Sequence, residues 1–143
     1  MKLGYESELT KIQEDMISIC LEYAENKCDK VYIYCSCENN NIACNFFYQV
    51  NGEAYKKHQL PVGYDTSINR QMSCLKILVN DVKKLISVCK VYKADMPTEM
   101  KILYDNENNK VNASYQYEYV YTNTDKSAND IFDDWCQQKV RKK

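Results

Sequence analysis

The chain has 143 residues, a length that fits one domain and leaves little room for two. Its 19 basic and 20 acidic residues give a formal net charge of -1, which argues against a protein that binds nucleic acid through charge. Hydrophobic residues make up 45% of the chain, enough to form a packed core and exclude wholesale disorder. A single His excludes any site that needs two imidazoles.

The first half of the chain predicts one helix followed by three strands. Apolar residues at spacings of three and four predict an amphipathic helix over about residues 7–25, capped by Ser7 or Glu6. Alternation at period two predicts strands over 30–38, 42–50 and 53–60. Asn51-Gly52 is a strong hairpin signal, and the strand after it is polar on both faces, which is typical of a sheet edge.

The second half predicts a long helix, two strands and a final helix. Asp65, Thr66 or Ser67 is expected to cap the long helix, which runs to about Tyr92. Its predicted apolar stripe comprises Met72, Leu75, Leu78, Val79, Val82, Leu85, Ile86 and Cys89. Strands are predicted over 98–104 and 110–121. The last helix begins near Ser127 with a capping box, and a basic tail over 139–143 complements its dipole.

The order of these elements predicts the fold class. The order α-β-β-β-α-β-β-α, with successive hairpins, indicates an α+β fold. We expect an antiparallel sheet of about five strands, with the helices packed against it, in a single domain over residues 1–143. No apolar run approaches the roughly 20 residues of a membrane span, and the N-terminus lacks the features of a secretory signal. The sequence therefore predicts a cytoplasmic protein with no membrane partner.

The cysteines and the histidine are the candidates for chemistry. Cys35 and Cys37 share one face of a strand, close to Cys44, so three thiols form an alternative metal or redox site. Structural zinc sites usually use four ligands on tight loops, and this face also carries apolar core residues. Most of the eight cysteines are therefore interpreted as small buried hydrophobic residues, with no metal and no other cofactor. His58 is interpreted as an exposed residue that no neighbour orients.

Acidic and aromatic residues of the last strand and helix form the remaining candidate site. Asp133 and Asp134 are adjacent on a helix, so they diverge by about 100° and do not converge on one substrate atom. No catalytic residue is predicted. Tyrosine is favoured at protein interfaces, and flanking acids suit a basic partner, although plain packing of the tyrosine face remains the alternative. The candidate partner-binding residues are Tyr117, Glu118, Tyr119, Tyr121, Asp125, Asp130, Asp133 and Asp134.

Several local signatures occur in an order found in a known family. They are Val31-Tyr32-Ile33-Tyr34, Asn45-Phe46-Phe47-Tyr48, the segments 97–105 and 110–117, and the helix that carries Trp135. In this pattern, which spans nearly the whole chain, the sequence resembles the YezG-like antitoxin family, whose members include the EsaG-type immunity proteins. The resemblance implies a small cytoplasmic protein that binds and neutralises a secreted bacterial toxin, typically a nuclease, by stoichiometric contact.

Other functions stay open at this point. The resemblance implies a cognate toxin domain as the partner and no catalytic residues in this chain. The balanced charge separately predicts no direct contact with nucleic acid. A metal or thiol-redox protein that uses Cys35, Cys37 and Cys44 is one alternative. A domain that binds a small ligand between sheet and helices is another.

Overall fold

The computed structural model describes residues 2–140 and confirms the predicted α+β class and element order. The elements are α1 (Lys2–Tyr23), β1 (Lys30–Glu38), β2 (Asn41–Val50), β3 (Glu53–Lys56), α2 (Ile68–Tyr92), β4 (Glu99–Asp105), β5 (Lys110–Gln116) and α3 (Ala128–Val140). Within residues 2–140, no helix is both long enough and apolar enough to cross a membrane. Residues 141–143 of the expected basic tail lie outside the described residues.

The five strands form one antiparallel sheet in the order β3-β2-β1-β4-β5. The central strand β1 joins β2 through a tight turn in which Asn39 and Asn40 both have positive φ, a conformation that Asn tolerates. The predicted edge position of β3 is confirmed, because β3 pairs with β2 alone. Strand β5 forms the opposite edge and pairs with β4.

Helices α1 and α2 pack on one face of the sheet and form the main core. Because side chains alternate along a strand, this face receives Ile33 of β1 and Phe46 of β2. Met16 of α1 and Leu78 of α2 cover them, and all four side chains are fully buried. Most of the apolar stripe predicted for each helix therefore packs into this core.

Helix α3 packs on the opposite face and forms a smaller aromatic core. Tyr32 and Phe47 are neighbours on β1 and β2, and their rings stack with centroids 4.3 Å apart. Trp135 meets both rings edge-on, at 5.7 Å and 5.3 Å, and Phe132 is buried beside them. Strand β1 is thus covered on both faces.

Several predicted boundaries and caps are wrong. Helix α1 already contains Glu6 and Ser7, so neither residue caps it. Ser67 occupies the N-cap position of α2, as predicted, but its side chain makes no capping hydrogen bond, and its N–H donates to Asp65 Oδ1 at 3.1 Å. Met72, assigned to the buried stripe of α2, is 64% exposed. Strand β3 ends at Lys56, because the chain turns there and the Gln59 N–H donates to the Lys56 carbonyl.

The largest correction concerns the last strand. It was expected to run over residues 110–121, but β5 ends at Gln116. Gln116 is opposite Glu99, the first residue of β4, so the chain has no neighbouring strand beyond this point. The alternation of tyrosines continues past Gln116, but periodicity cannot reveal where a partner strand begins. The expected continuous face of tyrosines therefore does not exist.

Candidate functional site

The segment after β5, residues 117–127, crosses the end of the sheet and is held there by one buried carboxylate. Glu38, the last residue of β1, is 1% exposed. Its carboxylate accepts hydrogen bonds from the N–H groups of Val120 at 2.7 Å and Thr122 at 3.0 Å. The Thr122 hydroxyl donates a third bond, at 2.6 Å, and the Tyr121 N–H a longer one, at 3.4 Å. Glu38 thus fixes the backbone of this segment.

Hydrogen bonds rather than apolar packing decide the ionisation state of Glu38. Burial alone would raise its pKa, but the Thr122 hydroxyl and the backbone amides hold the pKa below its ordinary value. Thr98 adds a second anchor, because its hydroxyl donates to the Glu118 carbonyl at 2.7 Å and its backbone N–H donates to the Gln116 carbonyl at 2.8 Å. The first part of the segment therefore presents its side chains from a backbone held at several points between residues 116 and 122.

Two predicted tyrosines are prominent on this surface. Tyr117 and Tyr119 are each 54% exposed, and Glu118 between them is also exposed. The Tyr119 hydroxyl donates to Asn39 Oδ1 at 2.6 Å, which holds that side chain against the first turn of the sheet. Tyr121 is half-buried. We call Tyr117, Glu118 and Tyr119 the tyrosine segment.

The predicted acidic residues do not join the tyrosine segment as one patch. Asp130 forms the expected capping box of α3: its N–H donates to Ser127 Oγ at 3.2 Å, and its carboxylate accepts from the Ser127 N–H at 2.9 Å. Asp133 pairs with Lys56 of β3, and Asp134 pairs with Lys126, each at 2.8 Å. These aspartates therefore diverge as expected. Asp125 is exposed.

A cleft of about 460 Å³ lies beside Tyr117, where α1 begins and α2 ends. Tyr5 of α1, Tyr92 of α2 and Tyr117 form its aromatic wall. The rings of Tyr5 and Tyr92 meet edge-on with centroids 6.4 Å apart. Gly4 permits this approach, because a Cβ at Gly4 would lie 2.7 Å from the Tyr92 hydroxyl oxygen. Three aromatic rings from separate parts of the chain thus share one opening.

Charged side chains line the rest of this cleft, which we call the tyrosine cleft. The charged residues are Glu6, Lys93 and Asp95, all of them exposed. Burial raises the pKa of Tyr5, with a further rise from neighbouring Cys89, and burial also raises the pKa of Tyr117. Both phenols therefore stay neutral at physiological pH. No sequence pattern marked Tyr5 or Tyr92 as site residues, because only the folded chain brings them together.

The cysteines and His58 do not form a metal-binding arrangement among residues 2–140. All eight cysteines are free, and five of them are buried. Cys35 and Cys44 lie opposite each other on β1 and β2, with their sulfur atoms 3.8 Å apart. The hydrogen bond with Cys44 and burial raise the pKa of the Cys35 thiol well above its ordinary value. Among residues 2–140, no three His, Cys, Asp or Glu side chains are placed to hold a metal ion. His58 is exposed, as expected.

One buried carboxyl was missed by the sequence interpretation. Asp81 of α2 is 1% exposed, and its Oδ2 atom has no hydrogen-bond partner among the described residues. Burial raises its pKa to about 7, and the neighbouring Asp15 carboxyl of α1 acts in the same direction, whereas Lys84 opposes the shift.

The geometry described above offers a surface and a cleft. No family model matches the chain, and no curated protein is significantly similar to it. The resemblance to the YezG-like antitoxins stays a prediction. The described residues form an aromatic segment with a fixed backbone and, next to it, an open cleft lined by three tyrosines.

Proposed function

We propose that the chain is a cytoplasmic immunity protein of the YezG-like type, which neutralises a toxin by binding it and catalyses no reaction itself. The observation that carries the proposal is the exposure of Tyr117 and Tyr119, each 54% exposed, on a backbone that Glu38 holds in place. Tyrosine is enriched among the residues that dominate binding energy at interfaces. The resemblance of the sequence supplies the class of partner, a toxin domain and typically a nuclease.

The fixed backbone is what makes these tyrosines suitable for tight binding. A flexible segment loses conformational entropy when it binds, and this loss reduces affinity. Residues 117–122 are already tied to Glu38 and Thr98 in the free chain, so little of that loss remains. Tyrosine adds a large, stiff contact area with only two side-chain torsions. The segment therefore meets the requirement of an inhibitor that must hold its target firmly.

The predicted acidic residues support the proposal less strongly than the tyrosines do. Because Asp133 and Asp134 are paired with lysines, and Asp130 caps α3, they are weaker attractants for a basic partner than a free cluster would be. Glu118 and Asp125 are exposed and carry no such pair among the described residues. We therefore assign toxin contact to Tyr117, Glu118 and Tyr119 first, with Asp125 at the rim.

The test is direct binding to any toxin domain found to be encoded beside the gene. The purified chain is titrated with that domain by calorimetry, and toxin activity is measured at increasing ratios of the two proteins. We expect a 1:1 complex and complete inhibition at equivalence. The double variant Y117A/Y119A should bind at least about 30-fold more weakly, as for the loss of a binding hot spot of about 2 kcal/mol.

A matched control separates contact from general damage to the fold. Met72 is 64% exposed on α2 and lies outside the tyrosine segment, so Met72→Ala should bind the toxin as the unchanged chain does. Thermal unfolding should show all variants folded. Absence of binding and protection by the unchanged chain would overturn the proposed function. Equal binding by Y117A/Y119A would overturn the assignment of the surface.

A further inference from the structure

The tyrosine cleft has the composition of a site for a positively charged group. Tyr5, Tyr92 and Tyr117 line it, and the face of an aromatic ring carries the negative part of its quadrupole. A cation within about 6 Å of such a ring is attracted to it. The chain itself makes this contact elsewhere, where the Arg70 guanidinium lies 5.0 Å from the centre of the Tyr23 ring.

The charged residues around the cleft favour the same sign of ligand. Glu6 and Asp95 contribute two carboxylates, and among residues 4–139, whose side chains the structure describes, neither forms an ion pair. Lys93 contributes one opposing charge. Helix α1 begins here and α2 ends here, so their dipoles offset each other and the side chains decide the local charge. These three described side chains sum to one net negative charge, next to three aromatic rings.

The volume of the cleft leaves ample room for a side chain of a protein partner. Its volume of about 460 Å³ lies within the usual range of ligand pockets, about 300–1,000 Å³. Tyr117 belongs both to the cleft and to the tyrosine segment, so an occupant of the cleft lies next to anything bound on that segment. The two features therefore form one continuous surface.

We propose that the tyrosine cleft receives an arginine side chain of the partner protein, with the guanidinium against the tyrosine rings and paired with Glu6 or Asp95. This inference rests on the proposed function, because the arginine belongs to the toxin that the chain binds. Arginine fits better than lysine, since its planar guanidinium stacks on aromatic rings and pairs with a carboxylate through two parallel hydrogen bonds. The partner is thus expected to present a basic surface around this arginine.

The first experiment uses a small probe and needs no toxin. The full chain is titrated with N-acetyl-arginine amide, and binding is followed by NMR on the ring signals of Tyr5, Tyr92 and Tyr117. N-acetyl-citrulline amide, which has nearly the same shape but no charge, is the matched probe. We expect saturable shifts with the arginine derivative, with a dissociation constant of about 1–10 mM, and none with the citrulline derivative. Equal shifts with both probes, or none with arginine, would overturn the inference.

Matched variants then localise the site. Tyr117→Leu should weaken binding of the arginine derivative by about two- to fivefold, the effect of one exposed cation–π contact. Tyr119→Leu changes an equally exposed tyrosine two residues away that does not line the cleft, and it should bind the probe like the unchanged chain. The double variant E6Q/D95N keeps the shape and removes both carboxylates, so it should lose most of the binding. Unchanged binding in E6Q/D95N would contradict the assigned charge recognition.

The toxin experiment distinguishes this inference from the proposed function. If the chain binds and inhibits the toxin, E6Q/D95N should weaken the complex and reduce its sensitivity to salt. A complex with unchanged affinity would overturn the arginine contact and leave the proposed function intact. If the chain does not bind the toxin, the proposed function fails, and the proposed toxin arginine fails with it, whatever the small probe does.

Discussion

At the scale of single residues, Asp81 makes stability depend on pH. It is buried between α1 and α2, and burial with the adjacent Asp15 raises its pKa to about 7. A raised carboxyl pKa means that the folded chain favours the protonated form. The stability that protonated Asp81 contributes is complete below the pKa of this group in the unfolded chain, about 4. It is lost as pH rises through the pKa in the folded chain, about 7. The chain should therefore unfold more easily at pH 8 than at pH 5.5.

The variant Asp81→Asn tests this directly, because it keeps the size of the side chain and cannot ionise. We expect it to be more stable than the unchanged chain at pH 8 by about 1 kcal/mol or more, with a flatter pH profile, measured by urea unfolding. Asp125→Asn, at an exposed position, should leave the profile unchanged. A pH-dependent difference that persists in Asp81→Asn would assign the effect to another group.

Glu38 is expected to behave in the opposite sense. Its pKa is held below the ordinary value, so its contribution is present above the unfolded pKa and is lost as pH falls through the folded one. Glu38→Gln should cost about 1–2 kcal/mol, because one amide oxygen replaces a charged acceptor of several hydrogen bonds. Hydrogen exchange should speed up at the amides of Val120 and Thr122.

A surface carboxylate in the same region provides the control for Glu38. Glu118 is exposed, and its side chain anchors no backbone amide among the described residues. Glu118→Gln should therefore leave both the unfolding free energy and the exchange rates at Val120 and Thr122 unchanged. Unaltered exchange in Glu38→Gln would show that other contacts fix the tyrosine segment.

At the scale of elements, the residue pattern predicted which segments are strands, but it could not predict a strand end that depends on the adjacent strand. The bounds of β1, Lys30–Glu38, were predicted correctly, since it pairs with β2 along all of its length and with β4 along most of it. The end of β5 was predicted wrongly, because Gln116 is opposite the first residue of β4 and the tyrosines beyond it have no strand to pair with. Alternation reports which side chains share a face; the extent of pairing belongs to the partner strand.

Helix α3 provides a prediction at this scale, since its capping box was expected and is confirmed. Ser127→Ala removes the hydroxyl that accepts from the Asp130 N–H and should cost about 1 kcal/mol. Trp135 lies on α3 and is the only Trp, so its fluorescence during urea unfolding reports the change. Ser87→Ala, at an exposed position inside α2, should cause no loss. An unchanged midpoint in Ser127→Ala would mean that packing of Phe132 and Trp135 alone fixes this helix.

At the scale of the whole molecule, the candidate surface was only partly predictable. The sequence grouped Tyr117 and Tyr119 with Asp133 and Asp134 because they are close along the chain. Folding places α3 against the far face of the sheet and ties Asp133 to Lys56 of the edge strand. The tyrosine cleft is the opposite case, because its three rings lie close together in the fold but come from distant parts of the sequence. Neither composition nor periodicity encodes such an approach; only the packing of α1 beside α2 creates it.

The thiols offer a measure of the integrity of the whole fold. Five cysteines are buried, and the three that are partly exposed are Cys28, Cys37 and Cys44. Burial raises the pKa of Cys28 to about 11 and also raises that of Cys37, so the reactive thiolate is scarce at these two positions. We expect iodoacetamide at pH 8 to modify at most three thiols of the native chain, slowly, and all eight in urea.

Labelling of the five buried thiols should follow global unfolding, because they lie in the two cores on either side of one sheet. Their modification, measured by mass spectrometry across a urea series, should rise at the same midpoint as the change in Trp135 fluorescence. Cys28→Ser should lower the number of native labels by one and leave that midpoint unchanged. Rapid native labelling of Cys35 together with Cys44 would instead indicate an open, reactive thiol pair and revive a redox function for this sheet.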